Sequence, residues 1–371
     1  MKIQLIDTGG PTALARALEQ LEQEEGMQTI LVLACDGDGY EPGNLDPILT
    51  NRKIPVYGGV FPALIHQDKK LETGIILVGL EFAPAPVLIE ELSTSGIDLE
   101  GKMMEVSSSL LSSRSLLVFV DGFSRRISKL IDGLFTIYGL EFNYIGGGAG
   151  SLSLQQKPCI ITPRGLLKDC AILLGLPMVS GIGVQHGWTP IAGPFRVSAA
   201  KGNVVQELDH KPAFEVYKLY VEKHSGQTLT PENFFSIAKA YPFGITKIGA
   251  EKIVRDPIAV GEDDSLICVG EVERGAFLDL LHGQKERLIS AAGLAAQKAK
   301  KNLGDSPGEF VVFIDCISRV LYLEEDFDRE LEEVSLQNDL PLFGALTIGE
   351  IANNGKDYLE FYNKTSVIGC F

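Results

Sequence analysis

The stretch FNYIGGGAGSLS, Phe142–Ser153, sets three consecutive glycines behind a short apolar run. Glycine runs of this kind cradle phosphates when they open a helix, whose N-terminus presents free N–H groups. A dinucleotide fingerprint needs GxGxxG. Counting from Gly146 or from Gly148 puts Ser151 or Ser153 where the last glycine belongs. The following SLSLQQKPCIITPRG has no helix start, and neither GKS nor GKT occurs in the chain, so a Walker loop is excluded as well. The glycines read instead as part of a unit that recurs.

That unit is an apolar strand reaching an Asp, then a helical or loop segment, then a strand ending in Gly, and later a further apolar strand. It is legible in ILVLACDGDGY, NLDPILTNRKIPVYGGVFP and TGIILVGLEF; in LLVFVDGFS, RRISKLIDGLFTIYGLEFNYIGGGAG and DCAILLGLPM; and in FVVFIDCISR, EEDFDRELEEVSLQNDLPLFGALTIGE and YNKTSVIGCF. Asp36, Asp121 and Asp315 mark the first strand ends, and Gly58, Gly146 and Gly344 are expected to form closing turns. Ile127, Leu130, Ile131, Leu134 and Phe135 recur at helical spacing behind Ser124, a capping residue type. Phe327, Leu331 and Val334 do the same in the third copy, with the acidic residues around them expected on a solvated face. Further helices are predicted at Pro11–Glu25 after a Thr8 cap, Pro212–Lys223, Pro231–Ala240 and Gln284–Leu303. The runs PFRVSAAKGNVVQEL and DSLICVGEVE alternate and read as strands. The expected fold is mixed α/β: repeated β-α-β-β units forming two packed mixed sheets with helices outside. Two related domains, 1–226 and 227–371, are expected to divide within HSGQTLTPEN.

The chain has 371 residues, a formal charge of −16 and a pI near 4.8. Such a surface repels phosphate backbones and anionic lipid, which argues against nucleic acid and membrane partners. Cys170–Phe195 lacks formal charge but is broken by prolines and glycines, unlike a membrane span. Six scattered cysteines without a CxxC pair, and no signal peptide, predict reduced thiols in the cytoplasm and argue against a thiolate zinc site.

Among single motifs, DTGG at Asp7 has no second copy to complete an aspartic-protease pair. In QHGWTPIAGPF, His186 stands beside Gly187 and the only tryptophan; a buried structural histidine is the first reading and a haem or metal ligand the second. The third copy gathers Asp315, Cys316 and Arg319 at one strand end and Glu350 near another, an edge where α/β proteins place ligands. Cys316 beside Arg319 is the candidate for an activated thiol, although no histidine lies near it in sequence. A salt bridge from Arg319 bracing the turns is the bland alternative.

Taken together, YIGGGAGS, then GIGVQHGWTPIAGPFRVSAAKGNVVQELDHKPAFEVYKLYVEK, then FIDCISR and PLFGALTIGEI…NKTSVIGCF, resemble the FIST proteins (F-box and intracellular signal transduction). The likeness runs from about Gln28 onward; Thr189 stands where the family more often has a basic residue. The resemblance implies a sensory module of bacterial signalling chains that binds a small metabolite, amino acids being the suggested ligands. It also implies a partner protein such as a kinase or receptor. Haem is an alternative cofactor, with His186 as its ligand, because some relatives bind haem and respond to nitric oxide. The expected site lies where the strand ends converge: Asp121, Gly146, Gly147, Gly148, His186, Asp315, Cys316, Arg319, Gly344 and Glu350. Arg319 is expected to hold an anionic group, Asp315 and Glu350 to orient it or bind an ammonium, and the glycines to offer N–H groups and room. Binding without catalysis is the expectation, and a thiol enzyme using Cys316 the lesser alternative.

Overall fold

The computed structural model describes residues 1–247, 251–353 and 358–371. The first unit runs β1 (Lys2–Ile6), α1 (Pro11–Leu21), β2 (Thr29–Cys35), α2 (Pro42–Leu49) and β3 (Val56–Phe61). A hairpin, β4 (Ala63–His66) and β5 (Lys69–Leu71), and then β6 (Ile75–Leu80) complete it. The second repeats that order: β7 (Ala85–Glu90), α3 (Leu99–Val106), β8 (Ser115–Asp121), α4 (Ile127–Tyr138) and β9 (Asn143–Ala149). Its hairpin is β10 (Ile160–Thr162) and β11 (Gly165–Leu167), and β12 (Cys170–Leu176) ends it.

The third unit starts at β13 (Gly181–Gln185) and is interrupted by an inserted body. That body comprises β14 (Thr189–Lys201), β15 (Val204–Leu208), β16 (Lys211–Pro212), α5 (Ala213–Ser225) and α6 (Phe234–Ala238). It continues with β17 (Phe243–Ile245), β18 (Ile253–Val260), β19 (Leu266–Val269) and β20 (Phe277–His282). The unit then resumes with α7 (Lys285–Leu303), β21 (Val311–Cys316), α8 (Ile317–Leu323), α9 (Phe327–Ser335) and β22 (Leu342–Thr347). The hairpin β23 (Glu350–Ala352) and β24 (Glu360–Tyr362) and the strand β25 (Ser366–Cys370) close it.

Each unit builds one six-stranded mixed sheet in the same order, and each borrows its outer hairpin from another unit. Unit one's hairpin extends unit three's sheet, unit two's extends unit one's, and unit three's extends unit two's. The register is shared: Val32 pairs with Gly58, Val118 with Gly146 and Phe313 with Gly344 on parallel neighbours. The glycine is required by close approach. A Cβ on Gly58, Gly146 or Gly344 would lie 1.8, 1.7 or 1.7 Å from the carbonyl oxygen of that partner. The glycines are therefore mid-strand residues, which corrects the closing turns expected of them.

Side chains alternate across a strand, so Leu31 and Leu33, Leu117 and Phe119, and Val312 and Ile314 pack together in one shared core. The opposite faces meet helices: Leu116, Val118 and Val120 under α3 and α4, Val311 and Phe313 under α7 to α9. The three sheets thus form a prism with helices outside. The inserted strands close on themselves through β14–β20–β17–β18–β19–β15 and back to β14, an antiparallel barrel with its own core around α5 and α6. The mixed α/β class holds, with the strands spread over four sheets where two were expected, because each repeat makes its own sheet.

Residue 226 is the C-cap of α5, inside the barrel body. Two capping expectations fail as well. Arg126, in the left-handed region, precedes α4 in place of Ser124, and Gly10 precedes α1 in place of Thr8. No described helix is long and apolar enough to cross a membrane.

Candidate functional site

The polar residues of the third copy meet inside the protein. The first turn of α8 follows β21 directly, so Arg319, four residues after Asp315, folds back over the strand end. The buried stripe of α9, Phe327, Leu331 and Val334, also carries Glu330. Arg319 Nε donates to Glu330 Oε1 at 2.9 Å and Nη2 donates to Oε2 at 2.5 Å, a bidentate pair. Nη2 also donates to the Leu288 carbonyl at 2.9 Å, and Nη1 to the carbonyls of His186 (2.8 Å) and Lys364 (3.2 Å). A guanidinium has five N–H donors, and all are engaged within the fold. This corrects the expectation that Arg319 holds a ligand's anionic group. It also takes fully buried Glu330 out of the solvated face expected around α9, where Glu324, Glu325, Asp328 and Glu332 are exposed as expected.

Around this pair sit groups whose charged forms burial disfavours. Asp315 Oδ1 lies 3.3 Å from Arg319 Nε and accepts the Ser366 hydroxyl at 3.1 Å. Burial, and then the neighbouring Glu330, push its carboxyl well above the usual range and outweigh Arg319. Glu350 accepts the Thr347 hydroxyl and the Thr365 N–H, both at 3.2 Å. Burial raises it to about 8, against the lowering effect of the Cys316 thiol and those two donors. Cys316 is itself pushed well above the thiol range, by burial first and then by Glu350. An activated thiolate needs the opposite environment, so the thiol-enzyme alternative loses its nucleophile.

His186 lies on the same cluster. Its Nδ1 accepts the Trp188 N–H at 2.8 Å, so the proton of the neutral ring sits on Nε2, which faces Glu251 at 3.3 Å. Burial lowers the ring to about 4. Gly187 next to it could leave room for a ligand. Instead the α7 backbone fills that space, for a Cβ there would stand 2.7 Å from the Arg287 carbonyl. A buried imidazole with one nitrogen accepting from backbone and the other against a carboxylate does not fit an axial haem ligand.

The remaining expected residues lie apart from Arg319. Gly147 and Gly148 are strand residues whose open sides are filled by Thr347, Ile348 and Gly349, and Glu350 pairs with Gly147. They admit protein backbone, not a ligand. Asp121, at the end of β8, is fully buried and accepts N–H groups of Phe123 (3.1 Å), Gln156 Nε2 (2.7 Å) and Asp169 (2.7 Å). Asp36, at the end of β2, accepts the Ser151 hydroxyl at 2.6 Å. One loop, 150–159, therefore crosses two strand ends.

Sequence reading missed Glu330, Lys364 and Asp256. The Lys364 ammonium lies 3.1 Å from Asp256, donates to the Lys239 carbonyl at 3.1 Å and stands 5.1 Å from the centre of the Trp188 ring. Glu330 was legible from its place on an apolar stripe; Lys364 and Asp256 had no such signal. Surface hollows of about 370 Å³ beside Met1 and His66, and about 340 Å³ beside Phe195 and Tyr220, are lined by none of these residues. Among the described residues, no group of three or more His, Cys, Asp or Glu is placed to hold a metal ion.

Comparison with known proteins matches residues 13–211 to the FIST N domain and residues 213–353 to the FIST C domain. An uncharacterised protein of Methanocaldococcus jannaschii is 26% identical over 259 residues, 62% of this chain and 48% of that protein. The chain thus spans about half the length of this curated relative.

Proposed function

The chain belongs to the FIST family of sensory signal-transduction domains, and from that premise we propose that it binds a small amino-acid-like metabolite at the strand ends of units one and two. The observation that carries this reading is an asymmetry. One residue separates β3 from the hairpin in unit one and two separate β22 from it in unit three, whereas unit two spends ten after β9, 150–159. That extra length lies over Asp36 and Asp121.

Both carboxylates are held by neutral donors, and those from the loop are displaceable: the Ser151 hydroxyl and the exposed Gln156 amide. A ligand ammonium in their place would exchange neutral hydrogen bonds for charge-assisted ones, roughly twice as strong. Displacement of the loop then reports occupancy to a partner protein such as a kinase or receptor. The reading is of binding without catalysis, in the cytoplasm, where the six buried unpaired cysteines stay reduced.

The test is a thermal-shift panel of amino acids, their amines and their carboxylic acids on wild type and Asp121→Asn. An amine-bearing ligand at 100 times its Kd stabilises by ~2.7 kcal/mol, and the shift should vanish in the variant, each protein being compared with its own ligand-free midpoint. Equal shifts in both proteins would place the site elsewhere.

A further inference from the structure

The barrel joins the prism through two short connectors, 186–188 and 283–284, which pack on each other: a Cβ on Gly283 would fall 2.3 Å from the Trp188 ring. The barrel has its own apolar core, and Ile253, Val254 and Leu281 are its buried apolar residues that reach the prism cores. Partly buried Ile245 of β17 adds to them, and polar contacts accompany these four. Arg255 donates to the Phe361 carbonyl at 3.1 Å, Lys247 pairs with Glu360 at 2.9 Å and Lys239 pairs with Glu324 at 2.6 Å. Asp256 Oδ1 and Asn363 Nδ2 are buried there without a hydrogen-bond partner, and His186 Nε2 has only the Glu251 carboxylate 3.3 Å away. An interface with few apolar contacts and unsatisfied polar atoms has little net stability, since burying an ion pair costs about as much as the pair returns.

The repeat shows which residue was fitted to this interface. Leu77, Leu173 and Ile368 pair with the equivalent Val32, Val118 and Phe313. Four residues before them stand Thr73, Asp169 and Lys364. Thr73 is exposed and Asp169 half-buried, whereas Lys364 is buried under the barrel with its ammonium between Asp256, the Lys239 carbonyl and the Trp188 ring.

We infer that the barrel is a movable lobe latched onto the prism by Lys364, the cage of Asp256, Lys239 and Trp188 being the catch. The latch sits where α8, α9 and the connector converge, because the Lys364 carbonyl also takes Arg319 and the Trp188 indole N–H at 3.1 Å. Opening it loosens the barrel without dissolving either core. This goes beyond the ligand site proposed above and stands without it.

The test is peptide-resolved hydrogen exchange on the full chain. Lys364→Met leaves Asp256 without its cation, and Asp256→Asn removes the charge from the other side. Each variant should speed exchange in 253–260 and 359–366 by about a hundredfold, the low end for an uncompensated buried charge. Exchange in 116–121 of the prism and 204–208 of the barrel should not change. Unaltered exchange at the interface in both variants overturns the latch. So does an equal rise in all four segments, which would make Lys364 an ordinary core residue of one cooperative body.

Discussion

Replacing Arg319 by methionine should come close to unfolding the protein. The substitution keeps most of the volume and removes the cation. Glu330 and Asp315 then stay buried without it, and the carbonyls of His186 and Leu288 lose the guanidinium N–H that each accepts. Breaking a buried pair from one side costs ~3–5 kcal/mol, and the stranded His186 carbonyl adds ~1–3 kcal/mol, while the Leu288 carbonyl keeps its bond within α7. Allowing for relaxation, a loss of about 5 kcal/mol or more is expected, against a total stability of ~5–15 kcal/mol for a typical protein. Urea unfolding followed by tryptophan fluorescence is the assay, because Trp188 is the only tryptophan, is buried, and donates its indole N–H to the same Lys364 carbonyl. Arg319→Lys retains a charge with three donors in place of five and should fall between the two. Were Arg319→Met to unfold within ~1 kcal/mol of wild type, the bracing role would be wrong and a ligand-facing role for Arg319 would return.

Alanine at Gly58, Gly146 or Gly344 should destabilise by a similar amount at each position, ~3 kcal/mol or more, because each Cβ meets the same carbonyl at 1.7–1.8 Å; thermal midpoints of the three variants check this, and one tolerated substitution would break the equivalence. Stability should also fall from pH 6.5 to 8. The carboxyl of Glu350 is raised from 4.5 to about 8, so its contribution is whole below pH 4.5 and is lost as the pH climbs through 8. His186, lowered from 6.5 to about 4, acts in the opposite sense; its effect is half-strength at 6.5 and nearly gone by about 7.5. Glu350 alone contributes ~1.4 kcal/mol per pH unit for one proton. The raised carboxyl of Asp315 adds in the same sense, so the slope should become shallower by about that amount, without vanishing, in Glu350→Gln, as measured by urea midpoints across that window.

The repeat was legible because its signals are local. A run of apolar residues buried on both faces reads as a central strand whatever surrounds it, and β2, β8 and β21 are all of that kind. Helices α5 and α7 were readable from periodicity and end signals to within a residue or two. The aspartates misled. Relative to the register of Val32, Val118 and Phe313, Asp36 is four residues on, Asp121 three and Asp315 two. A shift of one residue turns a side chain to the other face, so Asp315 turns toward α8 and α9 while Asp121 does not. Equal residue type at similar spacing concealed unequal geometry.

For the site, sequence identified chemistry but not its partners. Arg319 was rightly singled out as a planar fork suited to a carboxylate; the carboxylate is Glu330, eleven residues on in the same chain. His186 as a buried structural histidine was the first reading, and its Nδ1 accepts from backbone as that reading requires. What sequence by itself determined is the set of short-range properties: strand and helix periods, and an acidic composition. Only the tertiary structure decided how hairpins pass from unit to unit, that the inserted strands close into a barrel, and which buried charges meet. Those depend on contacts between residues far apart in the chain, such as Lys364 with Asp256 or Arg319 with His186, and no local pattern encodes which distant group will satisfy a buried donor.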